Sequence, residues 1–168
     1  MHKTIRIKPG NLLWTLLLLV FASCGPDVIY ENYVTIPEGG WSKDSMASFN
    51  VNIDDVNTYY DIFINVRNKS DYPNSNIWLF IDVTSPEGKT IRDTINCYLA
   101  DEHGKWIGSG WGDLFLVHYP YRRNVKFAEP GDYKFNIIQG MRYDELEGIH
   151  NIGITIAKSP KVQSAYEK

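Results

Sequence analysis

The sequence has almost no cysteine, no excess of basic side chains, and a single long apolar run. Two cysteines in 168 residues, Cys24 and Cys97, exclude the disulfide framework of small secreted domains. A formal charge of −3, from 17 Lys+Arg against 20 Asp+Glu, lacks the basic stripe of a nucleic-acid binder, so no nucleic-acid partner is expected. Metal-binding spacings are missing as well. His103, His118 and His150 stand far apart, and neither His-Glu-x-x-His nor paired Cys-x-x-Cys occurs. Asp101-Glu102-His103 and Asp54-Asp55 fall where turns are predicted and read as solvated turn residues. No Gly-x-Ser-x-Gly elbow is present, and Gly108-Ser109-Gly110-Trp111-Gly112 lacks the Gly-Lys-Ser/Thr ending of a phosphate loop. No enzyme, no metal and no cofactor are expected from these residues.

The apolar run extends from Leu12 to Ala22, broken only by Thr15, behind Lys3, Arg6 and Lys8. At 1.5 Å per residue it crosses only about half of a ~30 Å hydrocarbon layer, so it reads as a secretory leader rather than a transmembrane helix. The Ala22-Ser23-Cys24 ending resembles a bacterial lipobox. Cys24 is therefore expected to carry a diacylglyceryl thioether and an acyl chain, and two or more chains hold a protein stably on a membrane. Loss of the leader removes three basic groups and leaves a more acidic body, so the lipid rather than headgroup attraction makes the membrane contact. One acid after the cysteine, Asp27, points to the periplasmic face of the outer membrane rather than the cell surface. The expected organisation is a leader over 1–23, a lipidated N-terminus and short tether over 24–30, one domain over 31–158, and a polar tail over 159–168.

The body alternates in the manner of short strands. Phe49, Val51 and Ile53 share one face, as do Tyr60, Ile62, Ile64 and Val66 in the next stretch. Ile77, Leu79, Ile81 and Val83 alternate with Trp78 and Phe80, a pattern of apolar groups on both faces that predicts a central strand. Pro86-Glu87-Gly88 turns this strand into Thr90–Ala100, where Cys97 lies between Ile95 and Leu99 as a packed thiol. Tyr133, Phe135 and Ile137 follow Pro130-Gly131, and Ile152, Ile154 and Ile156 form a last strand. Short helical turns are expected over 113–118 and 143–147. The whole predicts an all-β fold, a two-sheet antiparallel β-sandwich of jelly-roll type with seven or eight strands, a partly closed barrel being the alternative.

Aromatic side chains exceed what a small core needs, and many stand beside Gly, Pro or Asn. They suit either protein-interface contacts or stacking on sugar rings, and the competing structural role is to cap the sandwich. The candidate contact surface is a loop end formed by Tyr72, Pro73 and Asn74, by Trp106, Trp111 and Asp113, and by Met141 and Arg142.

Several motifs in order, Trp41-Ser42-Lys43-Asp44-Ser45, Tyr72-Pro73-Asn74-Ser75-Asn76-Ile77-Trp78, Cys97-Tyr98-Leu99-Ala100-Asp101, Gly104-Lys105-Trp106-Ile107-Gly108, Gly112-Asp113-Leu114 and Pro130-Gly131-Asp132-Tyr133, resemble the gliding-motility lipoprotein GldH family of Bacteroidota. The resemblance continues through Met141-Arg142 and Gly148-Ile149 and spans the whole body; Phe115 to Arg123 departs from the family pattern. It implies a non-catalytic lipoprotein of the cell envelope belonging to the set of proteins needed for gliding, a set that overlaps the type 9 secretion machinery, or serving a related envelope role in a host that does not glide. The partners it implies are envelope proteins, among them other motility- or secretion-associated lipoproteins, with no active site to transfer.

Overall fold

The computed structural model describes residues 26–160. The leader, Cys24 and most of the polar tail lie outside them. The strands are β1 Val28–Thr35, β2 Trp41–Ser42, β3 Ala47–Ile53, β4 Tyr60–Lys69, β5 Asn76–Thr84, β6 Thr90–Tyr98, β7 Ser109–Trp111, β8 Leu114–Val125, β9 Gly131–Gln139, β10 Glu145–Leu146 and β11 Ile149–Lys158. They form a five-stranded sheet, β1-β11-β4-β8-β7, a four-stranded sheet, β3-β9-β5-β6, and a two-stranded ribbon, β10-β2. Every pairing is antiparallel. Among the long strands, successive members alternate between the two large sheets except at the β5–β6 hairpin. That connectivity is a jelly roll, and neither sheet closes into a barrel.

The alternation read from sequence fills the space between the sheets. Ile62, Ile64, Val66, Ile152, Ile154 and Ile156 face Phe49, Val51, Ile77, Leu79, Ile81 and Phe135, all buried. Two expectations are corrected. The helical turn over 113–118 is the start of β8, since Leu114 to His118 pair with Lys69 to Asn65 along β4. The turn over 143–147 holds β10, which pairs with Trp41 and Ser42. β5 does lie inside its sheet, between β9 and β6, but on its outer face Trp78 is 43% exposed. β1 begins at Val28, inside the stretch expected as tether.

Cys97 is buried and has no disulfide partner among the described residues, and burial pushes its thiol up to about 12. It should be inert to a thiol reagent at pH 8 in the folded protein and react once denaturant unfolds the chain. A native Cys97 that labels at the rate of a free thiol would contradict this packing.

Asp61, Asp82 and Asp93 each carry an ion pair with an arginine, Arg123, Arg92 and Arg122 respectively. Burial pushes Asp61 up, but hydrogen bonds from the Ser159 hydroxyl at 2.7 Å and the Asn124 N–H at 2.8 Å, with Arg123, outweigh it and hold the carboxyl below its ordinary range. Hydrogen bonding from Arg92 lowers Asp82, and the Tyr121 hydroxyl and Arg122 lower Asp93. Depressed carboxyls stabilise the fold above the unfolded value of about 4 and lose that contribution as pH falls through their folded values. The melting temperature should therefore hold between about pH 7 and 5 and drop below about pH 4, a drop that Asp61→Asn reduces.

Candidate functional site

The two ends of the sandwich are unlike. At one end lie the start of β1, the end of β11 and the loops 54–59, 85–89 and 126–130. Here Lys158 pairs with Asp27, its N–H donates to the Asp27 carbonyl at 2.8 Å, and Phe127 packs between Tyr60 and Tyr133 at 5.5 and 4.7 Å. The opposite end gathers the segments 36–46, 70–75, 99–113 and 140–148, including all eight candidate contact residues named from the sequence. Strands of nine or ten residues separate the two ends by about 30 Å.

The far end is tied together by backbone hydrogen bonds. The Lys69 N–H donates to Gly148 at 2.8 Å, Ser70 to Asp113 at 2.7 Å, and Leu99 and Ala100 to Ser75 at 2.8 and 3.0 Å. Gly148 has φ of +80°, and a Cβ there would sit 2.7 Å from the Tyr72 Cα. Gly148→Ala combines left-handed strain with a backbone clash and should destabilise the fold by about 2–3 kcal/mol, measured by urea unfolding.

The candidate residues divide into three groups. Tyr72 and Trp106 are packing elements. Tyr72 is buried, donates its hydroxyl to the Asn76 carbonyl at 3.0 Å and lies 6.4 Å from Trp106, whose ring lies 5.9 Å from Phe115. Desolvation pushes the Tyr72 phenol well up. Pro73 is exposed on the same loop.

Trp111 and Asp113 belong to the β7–β8 hairpin, which projects at the edge of the larger sheet. Trp111 pairs with Leu114 across the two-residue loop Gly112-Asp113, and Gly112 takes φ of +69°, the left-handed conformation tight hairpin loops require at this position. A Cβ on Gly110 would lie 2.2 Å from the Leu114 carbonyl, so the hairpin closes only with glycine there. Trp111 stands 96% exposed at its tip, beside an open groove lined by Arg67, Leu114 and Leu116.

Asn74, Met141 and Arg142 come together on the other sheet. With Asn76, Trp78 and Tyr143 they line a groove of about 730 Å³. Its wall is shaped by Gln139, which is buried, accepts from the Met141 N–H at 2.8 Å and donates to the Tyr143 carbonyl at 2.8 Å. The Trp78 backbone is fixed from both sides, its carbonyl accepting from the Gly140 N–H at 2.7 Å and its N–H donating to the Met141 Sδ at 3.3 Å.

Sequence reasoning missed Gln139 and Tyr143, and it missed a polar network on the outer face of the five-stranded sheet. Asn65, fully buried, donates to Thr155 Oγ1 at 2.7 Å and to the Tyr33 hydroxyl at 3.2 Å, while its Oδ1 meets His118 Nδ1 at 2.8 Å. Tyr33 donates to Glu31, lies over Gly153, and is raised to about 12 by burial and then by Glu31. An Asn alternating with Ile64 and Val66 gives the only signal, since it implies a polar partner on the face away from the core. Asp101 Oδ1 is taken by the N–H groups of His103 and Lys105 at 3.0 and 2.9 Å, which makes the Asp101-Glu102-His103 bunch a turn.

The fold and surface define a single jelly-roll module whose distal loops and open sheet face present aromatic side chains, with the deepest burial given to packing. Residues 28–156 match the GldH lipoprotein family, and the chain belongs to that family. It is 40% identical over 149 residues to the gliding motility lipoprotein GldH homolog of Christiangramia forsetii, covering 84% of this chain and 91% of that one. It is 31% identical over 159 residues to the gliding motility lipoprotein GldH of Flavobacterium johnsoniae, covering 90% and 98%. Among solved structures, that of the infectious bursal disease virus Gt strain aligns with a TM-score of 0.36 at 13% identity, over 80% of this chain. The chain spans 30% of that viral chain.

Proposed function

We propose that this chain is a non-catalytic envelope lipoprotein that docks on protein partners of the gliding-motility and type 9 secretion-associated machinery, through the loop end opposite its lipid. Membership of a lipoprotein family supports the envelope location, and the lipobox supports acylation at Cys24. The outer membrane is the expected membrane and its periplasmic leaflet the expected face. The observation that carries the docking role is Trp111: a tryptophan 96% exposed, on a hairpin built around obligate glycine, at the end of the sandwich opposite the start of β1. Exposed Trp beside Arg is the side-chain combination that dominates protein interfaces.

A photo-crosslinking residue placed at Trp111 in intact cells should give a discrete protein adduct, and one placed at Asn57, at the lipid end, should not. Adducts from Asn57 with none from Trp111 would overturn the docking assignment.

A further inference from the structure

We infer that the groove on the outer face of the four-stranded sheet binds a carboxylated saccharide, one sugar ring lying on Trp78 and the carboxylate meeting Arg142. This is independent of docking through Trp111, which lies on the other sheet.

Exposed aromatic side chains lie in and beside the groove. Trp78 and Tyr143 are each 43% exposed. Tyr98 stands 61% exposed one strand away, opposite Asn76 and therefore diagonal to Trp78. The face of an aromatic ring is electron-rich and accepts the C–H side of a sugar ring.

Amides lie between these rings. The Asn76 Nδ2 donates to Asn96 Oδ1 at 2.6 Å. Asn76 Oδ1 and Asn96 Nδ2 have no protein partner among the described residues, so an acceptor and a donor are available to ring hydroxyls.

Charge selects the acidic form. Arg142 is the only charged side chain lining the groove, and it makes no ion pair among the described residues. Its neighbour Asp144 is held by Lys43 instead. An uncompensated guanidinium in a protein of net negative charge is matched by a carboxylate, which its planar fork takes bidentately.

The backbone disfavours a peptide. An extended peptide adds to a sheet edge through main-chain groups, but beside the groove the Trp78 N–H and C=O are taken by Met141 and Gly140 and the Asn76 carbonyl by Tyr72, and from Leu79 onward β5 pairs with both β9 and β6. The groove therefore offers ring faces, amides and a guanidinium, which suit a polyhydroxylated ring.

The test is calorimetric titration of the full lipidated protein in detergent with oligomers of galacturonate, glucuronate and mannuronate, with their methyl esters, and with poly-glutamate. At least one uronate should bind with Kd below about 1 mM. Trp78→Ala should weaken it about tenfold or more, and Arg142→Gln should reduce it to the affinity of its ester. Both side chains are exposed, and if Trp78→Ala fails to fold, Arg142→Gln alone decides. The inference is overturned if no uronate binds, if esters bind as well as acids, or if poly-glutamate binds with the same dependence on Trp78 and Arg142, which would assign the groove to an acidic polypeptide. Loss of the Trp111 crosslink with uronate binding intact would remove the docking role and leave this one standing.

Discussion

Trp41→Ala should destabilise the protein by about 3–5 kcal/mol, the range for deleting a large buried aromatic side chain. Trp41 is 1% exposed, the first residue of a two-residue strand, and its Nε1 donates to the Ser45 carbonyl at 3.3 Å. Its backbone pairs with Leu146, itself buried, so one side chain fills the end of the core and holds the β2–β10 ribbon against it. That ribbon follows directly on the loop carrying Met141 and Arg142. The substitution should therefore also release the 140–148 segment, read as faster amide exchange there than in the loops of the opposite end. Urea unfolding gives the stability, and a loss below about 1 kcal/mol would mean that the site collapses around the smaller side chain.

Cys24→Ser should abolish membrane retention outright. A serine cannot form the thioether, and without it an acidic body has no affinity for anionic headgroups. Two or more acyl chains hold a protein on the bilayer and one does so only marginally, so partial acylation would show as intermediate partition. Detergent phase partition and globomycin sensitivity of wild type and variant measure this directly. A Cys24→Ser protein that still fractionates with membranes would remove the lipid from the account.

Where alternation was clean, sequence and structure agree. Phe49, Val51 and Ile53 point inward along β3 because the outer positions Ser48, Asn50 and Asn52 meet only solvent and polar partners on β9. β8 was illegible for the opposite reason. It mixes Leu, Phe, Tyr, Arg and a proline on both faces, and Pro120 reads as a strand breaker. The structure accommodates it because β7 pairs only as far as Leu116, so beyond that point β8 is an edge strand and a missing N–H costs no ladder bond. β1 was illegible because it too is an edge, with Tyr30, Tyr33 and Val34 only half covered.

The candidate end was legible as a set of loops but not as a geometry. Aromatic character alone does not separate Tyr72 and Trp106, which face inward, from Trp111, which faces out. Burial is decided by partners distant in sequence, such as Phe115 for Trp106. The sheet groove had no linear signature, because Trp78 and Met141 meet from positions 63 residues apart.

The proposed docking role rests on orientation: lipid on Cys24 would hold the sandwich by one end and present the Trp111 end outward. Four residues from Cys24 to Val28 reach at most about 14 Å, against a body about 30 Å long. A single fluorophore placed through Asn57→Cys or Trp111→Cys, with Cys97 buried and Cys24 acylated, reports this in vesicles containing a headgroup-attached quencher. Strong quenching at position 57 and little at position 111 is the predicted result. Equal quenching at both, or stronger quenching at 111, would contradict it.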